Sequence, residues 1–180
     1  MHPHGPSLPA EEQDARRHWQ GPALPGSILT AAMAEFCQSG TSVVLASCDG
    51  APSPVIGRGV ACRLAAEGPM RVVLRNSSNG VLQKALGRGA GLAVTFTQPT
   101  THFSLQLKSP SASIVPVDAL DVPAAHAQAA RFRQELMAVG YSESFAAAYC
   151  GFEPHDLLTI TFTPGQAFLQ TPGPSAGSVL

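Results

Sequence analysis

The residues of this chain best suited to chemistry fall between positions 54 and 84, which read PVIGRGVACRL-AAEGP-MRVVLR-NSSNGVLQK. Arg58, Arg63, Arg75 and Lys84 lie within or at the end of that stretch, in a chain that is only 13% charged. The pattern reads as a strand, a Gly-Pro turn, a second strand and the start of a helix. A helix start offers unpaired backbone N–H groups and the positive end of the helix dipole, so cations gathered beside it suit an anion. The spacing therefore predicts a phosphorylated cofactor around Asn76, Ser77 and Ser78. The ordinary alternative is a capped helix with solvated cations nearby.

Other chemistries find less support. His102 precedes a strand beside a Thr pair and could donate a proton, but a single His there is more often a surface residue. The six histidines show no ligand spacing, and His126 and His155 read as solvent-facing. Cys37, Cys48, Cys62 and Cys150 lack close spacing and read as buried thiols, not as a disulfide framework or a zinc site. No GxSxG stretch marks a serine nucleophile, and Cys62, although beside Arg63, reads as a small buried strand residue.

The elements that must position these residues follow from pattern. The 180 residues are 44% hydrophobic with a formal net charge of −1, enough for one domain with a real core and without the basic block that nucleic acid or anionic membranes attract. Residues 1–26 are rich in Pro, Gly and charge and read as a flexible arm. They lack the apolar stretch of a secretory signal, which predicts a cytoplasmic protein. Ser27 is placed to cap a helix over 27–39 with Leu29, Ala32, Met33, Phe36 and Cys37 inward. Strands follow over 43–48, 55–64 and 70–75, the first two joined by an Asp49-Gly50 hairpin turn.

A helix then faces the core with Val81, Leu82, Ala85 and Leu86. Strands over 92–97 and 103–108 come next, the latter alternating Ser104, Gln106 and Lys108 with Phe103, Leu105 and Leu107, so one face is buried and the other meets water or a ligand. Pro110 interrupts the strand, which resumes over 112–117. A long helix over 121–139 carries a stripe of Ala125, Ala129, Phe132, Leu136 and Val139, and Ser142 starts a short one. Strands over 157–162 and 166–170 flank a Pro164-Gly165 turn, and 171–180 form an irregular tail. Strands in hairpin succession predict an antiparallel sheet or small barrel with a few helices.

This order of elements resembles the pyridoxamine 5′-phosphate oxidase-like split barrels over residues 28–170. The resemblance implies a mainly β fold with helices, an antiparallel split barrel of six to eight strands, built as a homodimer with FMN at the subunit interface. The family's second-strand motif, Arg with Lys five residues on, stands here as Arg58-Gly59-Val60-Ala61-Cys62-Arg63. The place of its aromatic-Thr-Asn is taken by Leu74-Arg75-Asn76. Where the family has Ser followed by Arg-Lys, this chain has Asn79-Gly80-Val81, and Arg75 and Lys84 could compensate. True vitamin B6 oxidases end in a segment with Trp and Arg, whereas no cation follows Arg133 here. The resemblance thus stops short of a pyridoxamine phosphate oxidase in the strict sense.

What it implies for the site is FMN contact from Arg58, Gly59, Val60, Ala61, Arg63, Leu74, Arg75, Asn76, Ser77, Asn79, Lys84, Ser104 and Gln106, with no catalytic side chain assigned. Positions five apart point to opposite faces of a regular strand, so Arg58 and Arg63 share a ligand only through a bulge, which Gly57 and Gly59 permit, or through a partner subunit. Two functions from different classes follow: a flavin-dependent oxidoreductase acting on an unknown small molecule, or a non-enzymatic split barrel that carries haem, a deazaflavin or another ligand.

Overall fold

A computed structural model of the chain describes residues 16–48, 53–65 and 69–180. The expected Asp49-Gly50 turn and Gly68 of the Gly68-Pro69 turn lie outside the described residues. The strands are β1 (Ser42–Cys48), β2 (Val55–Leu64), β3 (Met70–Arg75), β4 (Gly91–Thr97), β5 (Ser104–Ser109), β6 (Ser113–Val115), β7 (Leu157–Phe162) and β8 (Gln166–Leu169). They form one eight-stranded sheet in the order β6-β7-β3-β2-β1-β4-β5-β8, every neighbouring pair antiparallel.

Two short connections roll this sheet into a split barrel. Three residues separate β5 from β6, and three separate β7 from β8, yet each pair lies at opposite ends of the strand order. Four extended steps reach only about 14 Å, so the two ends of the sheet must stand side by side. Pro110, which has no N–H to give a ladder, marks the departure from β5. Across the seam Gly165 N donates to Lys108 O at 2.9 Å. The strands flanking Pro164-Gly165 are therefore not a hairpin, as the sequence suggested: β7 pairs with β3 and β6, and β8 with β5.

Alternation decides which side chains fill the barrel. In β4 Leu92, Val94 and Phe96 point inward while Ala93, Thr95 and Thr97 point out, and Leu105 and Leu107 do the same in β5. One end is closed by α1 (Ala31–Cys37), which buries Met33, Ala34, Phe36 and Cys37. Its cap is Thr30, whose Oγ1 accepts from Met33 N at 3.2 Å, and not Ser27, whose Oγ accepts from Leu29 N. Thr30 is held extended by its bridge to Ala23, which delays the helix. A second helix, α2 (Gly80–Leu86), inserts Leu82, Ala85 and Leu86, but Val81 is 66% exposed and does not join that face.

Described residues near both ends of the chain pack on the barrel. Trp19, placed in the arm by its Pro- and Gly-rich surroundings, is buried against Phe36 and Phe103, because an indole this large finds its partners on the barrel end. The tail folds back on β8, with Gly177 N donating to Leu169 O and Leu180 N to Ala167 O.

Outside the barrel lie α3 (Asp121–Ala138) and α4 (Glu143–Cys150), capped by Ser142 Oγ, followed by a 3-10 turn (Pro154–Asp156). The buried residues of α3 are Asp121, Ala125, Gln128 and Leu136, whereas Val139 is exposed. Gln128 has a clear reason to be inside. β2 runs past the point where its ladder with β1 ends, at Gly59, and its later amides need acceptors. Gln128 Oε1 accepts from Cys62 N at 2.8 Å and its Nε2 donates to Cys37 O at 3.1 Å, while Gln38 Oε1 accepts from Leu64 N. No helix among the described residues is long and apolar enough to cross a membrane. Replacing Gln128 by Leu leaves the Cys62 amide and the Cys37 carbonyl unsatisfied, and should lower stability in urea by about 1–3 kcal/mol; an unchanged midpoint would contradict this role.

Candidate functional site

The register of β2 on β3 jumps between Gly59, opposite Leu74, and Ala61, opposite Val73, so Val60 is an extra residue and β2 carries a bulge there. The bulge changes the parity of the strand. Gly59 faces the barrel, where a Cβ would stand 2.7 Å from Val43 Cγ1, and Cys62 also faces inward. Ala61 lies on the outer face with Val73, Ala125 and Leu157. Arg58 and Arg63, five apart, consequently share that outer face.

They do not share a partner. Arg63 Nε donates to Asp121 Oδ1 at 2.8 Å, and its Nη2 pairs with Asp118. From the next strand, directly opposite in register, Arg71 Nη2 donates to Asp121 Oδ2 at 2.6 Å, and Thr159 Oγ1 of β7 donates to the same oxygen at 2.8 Å. The Asp121 side chain is wholly buried. Burial pushes its carboxyl up, but hydrogen bonds from Arg71, the Asp118 backbone, Arg63 and Thr159 outweigh that and hold it well below the usual carboxylate range. The first turn of α3 is thereby fixed on β2, β3 and β7, and the anion beside Arg63 belongs to the chain itself.

A second internal carboxylate meets the next predicted group. Asp156, in the 3-10 turn, accepts from Ser77 N at 2.8 Å and Ser77 Oγ at 2.6 Å, and its Oδ2 lies 3.5 Å from Arg75 Nε. Those bonds, from the Ser77 hydroxyl first, lower its pKa. Asn76 N donates to the Asp156 carbonyl, and the Asn76 side chain accepts from Gln83. Asn79 is buried and makes no cap bond: its Oδ1 accepts from Arg58 N at 2.9 Å and its Nδ2 donates to Arg75 O at 2.7 Å, fastening β2 to the end of β3. Leu74 has no exposed surface and belongs to the barrel core, so its side chain is closed to a ligand. Lys84 is exposed in the last turn of α2.

Arg58 is engaged differently. Its guanidinium carbon stands 4.0 Å from the centre of the Tyr149 ring, and its Nη2 donates to Tyr149 O at 2.8 Å. A narrow cavity of about 30 Å³ lies beside it, lined by Val44 and Val60 on the strands and by Ala129, Phe132 and Tyr149 on the helices. Next to it the outer face of the sheet continues over β1, β4 and β5, and among the described residues the helices pack chiefly on β1 and β2. One cross-strand row there runs Arg58, Val44, Thr95, Gln106, Phe168. The next runs Ser42, Thr97, Ser104. Gln106 Nε2 donates to Thr95 Oγ1 at 2.9 Å, and the Thr97 and Ser104 hydroxyls meet at 2.8 Å. Three strand spacings, about 14 Å, separate Arg58 from Gln106.

The predicted residues thus scatter. Arg58 and Val60 border the cavity beside α3 and α4, and Gln106 and the buried Ser104 lie on the outer face beyond it. Ala61 and Arg63 lie beneath α3, and Arg75, Asn76 and Ser77 form the β3–α2 turn with the buried Asn79. Gly59 and Leu74 face the barrel, and Lys84 stands apart on α2. For FMN the two halves of the molecule fare differently. A planar ring has a polar row available on the open face. At the predicted phosphate position, the Ser77 amide and hydroxyl and the Arg75 guanidinium already hold the Asp156 carboxylate. Sequence reasoning passed over Arg71, Asp121, Asp156 and Tyr149. Arg71 shares the outward face of an otherwise apolar strand with Val73 and Arg75, which signals a cation in need of an acid, and Asp118 and Asp121 stand just before and at the start of the longest helix. Nothing in the local sequence marks Tyr149 or Asp156 as the partner of a distant arginine.

No family model matches the chain, and no curated protein matches it. Solved structures do. HupZ of Group A Streptococcus matches at 12% identity over 83% of this chain and 100% of its own, with a TM-score of 0.49. An F420 reductase matches at 13% identity over 74% and 93%, with a TM-score of 0.47. The pyridoxamine 5′-phosphate oxidase-related, FMN-binding protein of Nostoc punctiforme matches at 11% identity over 72% and 73%, with a TM-score of 0.41. At such identities and TM-scores these likenesses carry no weight for ligand or activity.

The Asp121 carboxyl titrates below its ordinary value of 3.8, so its contribution to stability is complete at neutral pH and is lost as pH falls below about 4. Asp121→Asn should cost about 3–5 kcal/mol at pH 7, because two arginines lose their buried partner, and should flatten the acid limb of the stability profile. A variant with wild-type stability and an unchanged acid limb would show that Asp121 does not fix α3.

Proposed function

We propose that this chain is a pyridoxamine 5′-phosphate oxidase-like split barrel that binds a flavin, with FMN the first candidate, and uses it as an oxidoreductase on a small molecule other than pyridoxamine phosphate. One observation carries the reading: the row Arg58, Val44, Thr95, Gln106 on the outer face of the sheet, where among the described residues the helices pack chiefly on β1 and β2. Val44, Ala46 and Ala93 give a floor of small or short side chains, and amide and hydroxyl groups border it. Bound there, a flavin supplies the electron transfer, and the chain binds and orients it and sets the charge near its ring nitrogens.

In this reading Gln106 offers hydrogen bonds to the ring edge, the buried Ser104, bonded to Thr97, supports the neighbouring row, and Arg58 lends positive charge. A second copy closing over the same face would exclude water from it, which suits a homodimer. Of the four thiols expected to be buried, Cys37 and Cys62 are, as suits a reducing, cytoplasmic setting, whereas Cys48 is exposed and Cys150 half-buried.

A second reading is favoured by a different observation. Arg63 and Arg75 are already neutralised by Asp121 and Asp156, which suits a non-enzymatic barrel carrying haem, a deazaflavin or another ligand. The visible spectrum separates the two. The flavoprotein reading expects a two-banded yellow spectrum that stays with the protein after FMN is added and the excess removed. A sharp Soret-type band would move the assignment to a haem carrier, and a colourless protein that releases FMN would end the oxidoreductase reading. Arg58→Ala should weaken FMN binding by about tenfold, the scale of one charged hydrogen bond, while Lys84→Ala leaves it unchanged. Unchanged affinity in Arg58→Ala would take the site off this face.

A further inference from the structure

At the β3–α2 turn, three donors that a phosphate would use already hold a carboxylate of the chain. Ser77 N and Ser77 Oγ each hold one oxygen of Asp156, at 2.8 and 2.6 Å, and Arg75 Nε approaches the second oxygen at 3.5 Å. Asp156 is fixed there by the backbone as well as by its side chain. Its carbonyl accepts from Asn76 N at 2.6 Å, and its own N–H donates to Glu153 O at 2.9 Å. The carboxylate is part of the turn, so its binding there is intramolecular. A phosphate arriving beside it would meet a like charge at hydrogen-bond range and find the hydroxyl and amide taken. The same holds beneath α3, where Asp121 and Asp118 occupy Arg63 and Arg71.

We propose that Asp156 is a built-in counterion in place of a ligand phosphate, so that this chain takes its flavin by the ring system without discriminating for the phosphate. The inference rests on the flavin reading for the identity of the ligand, but the closed state of the turn stands apart from it. Riboflavin and FMN should bind the wild-type protein within about threefold of each other, whereas a phosphate gripped by charged hydrogen bonds would favour FMN by about tenfold or more. Removing the carboxylate frees Ser77 and Arg75, and Asp156→Ala should then prefer FMN by at least that margin.

The test combines two readouts. The first is the FMN-to-riboflavin affinity ratio for wild type, Asp156→Ala and Asp156→Asn. The second is the Ser77 amide resonance in the same proteins during titration with inorganic phosphate, with no flavin present. The expected result is a wild-type ratio near one and a silent Ser77 amide, with a raised ratio and a saturable Ser77 shift in Asp156→Ala. Asp156→Asn keeps an acceptor for Ser77 N and serves if the Ala variant does not fold. A wild-type preference of tenfold for FMN, or a wild-type Ser77 amide that shifts with phosphate, overturns the proposal. So does a Ser77 amide silent in both folded variants, since the turn would then be no anion seat at all. If no flavin binds, the flavin reading fails, and the phosphate titration still decides whether Asp156 closes the turn.

Discussion

Asp121 is a carboxylate without solvent, and much of the outer architecture depends on how it is satisfied. Arg63, Arg71, Thr159 and the Asp118 backbone all donate to it, which ties the first turn of α3 to three strands at once. A buried charge is tolerated only when its partners neutralise and hydrogen-bond it, and here two guanidiniums and a hydroxyl do so. With the start of α3 fixed, Ala125 covers Ala61 and Val73, Gln128 reaches the open amide of Cys62, and α4 is set where Tyr149 meets Arg58. One ion-pair cluster thereby determines which part of the sheet is covered.

The bulge at Val60 is the second constraint, and it acts on the same strand. By adding one residue it puts Arg58 and Arg63 on the same outer face, while Gly59 stays inside, where Val43 and Val72 leave no room for a side chain. Covered and open parts of the outer face differ in charge state as a result. Beneath α3 and at the β3–α2 turn the cations are balanced by the chain's own acids. On the open face Arg58 rests on an aromatic ring and a carbonyl, with no carboxylate facing it among its hydrogen bonds. That contrast, more than the number of cations, locates the proposed site.

Much of the fold was legible because its signals are local. The alternation in 103–108, the Ser142 cap and the Leu82–Leu86 face are read from neighbours in sequence, and the bulge was foreseeable from Gly57 and Gly59 on either side of Arg58. What failed depended on distant partners. The closing strands looked like a hairpin because Pro164-Gly165 is a turn sequence, but that turn lies at the seam, and the pairing of β7 with β3 and β8 with β5 is set by the rolling of the whole sheet. Trp19 looked like part of an arm because its neighbours are Pro and Gly. For the site, the cations were legible and their counterions were not: Arg63 is 58 residues from Asp121, and Arg75 is 81 from Asp156.

The most direct measurement is a map of backbone amide shifts across the whole chain on adding FMN. The account predicts changes along Val44, Arg58, Thr95 and Gln106, spreading to Ser104, with Asn76 and Ser77 unmoved. Changes centred on Asn76, Ser77 and Asn79 with the open face unaffected would contradict it, and would return the site to the helix start where the cations first suggested it.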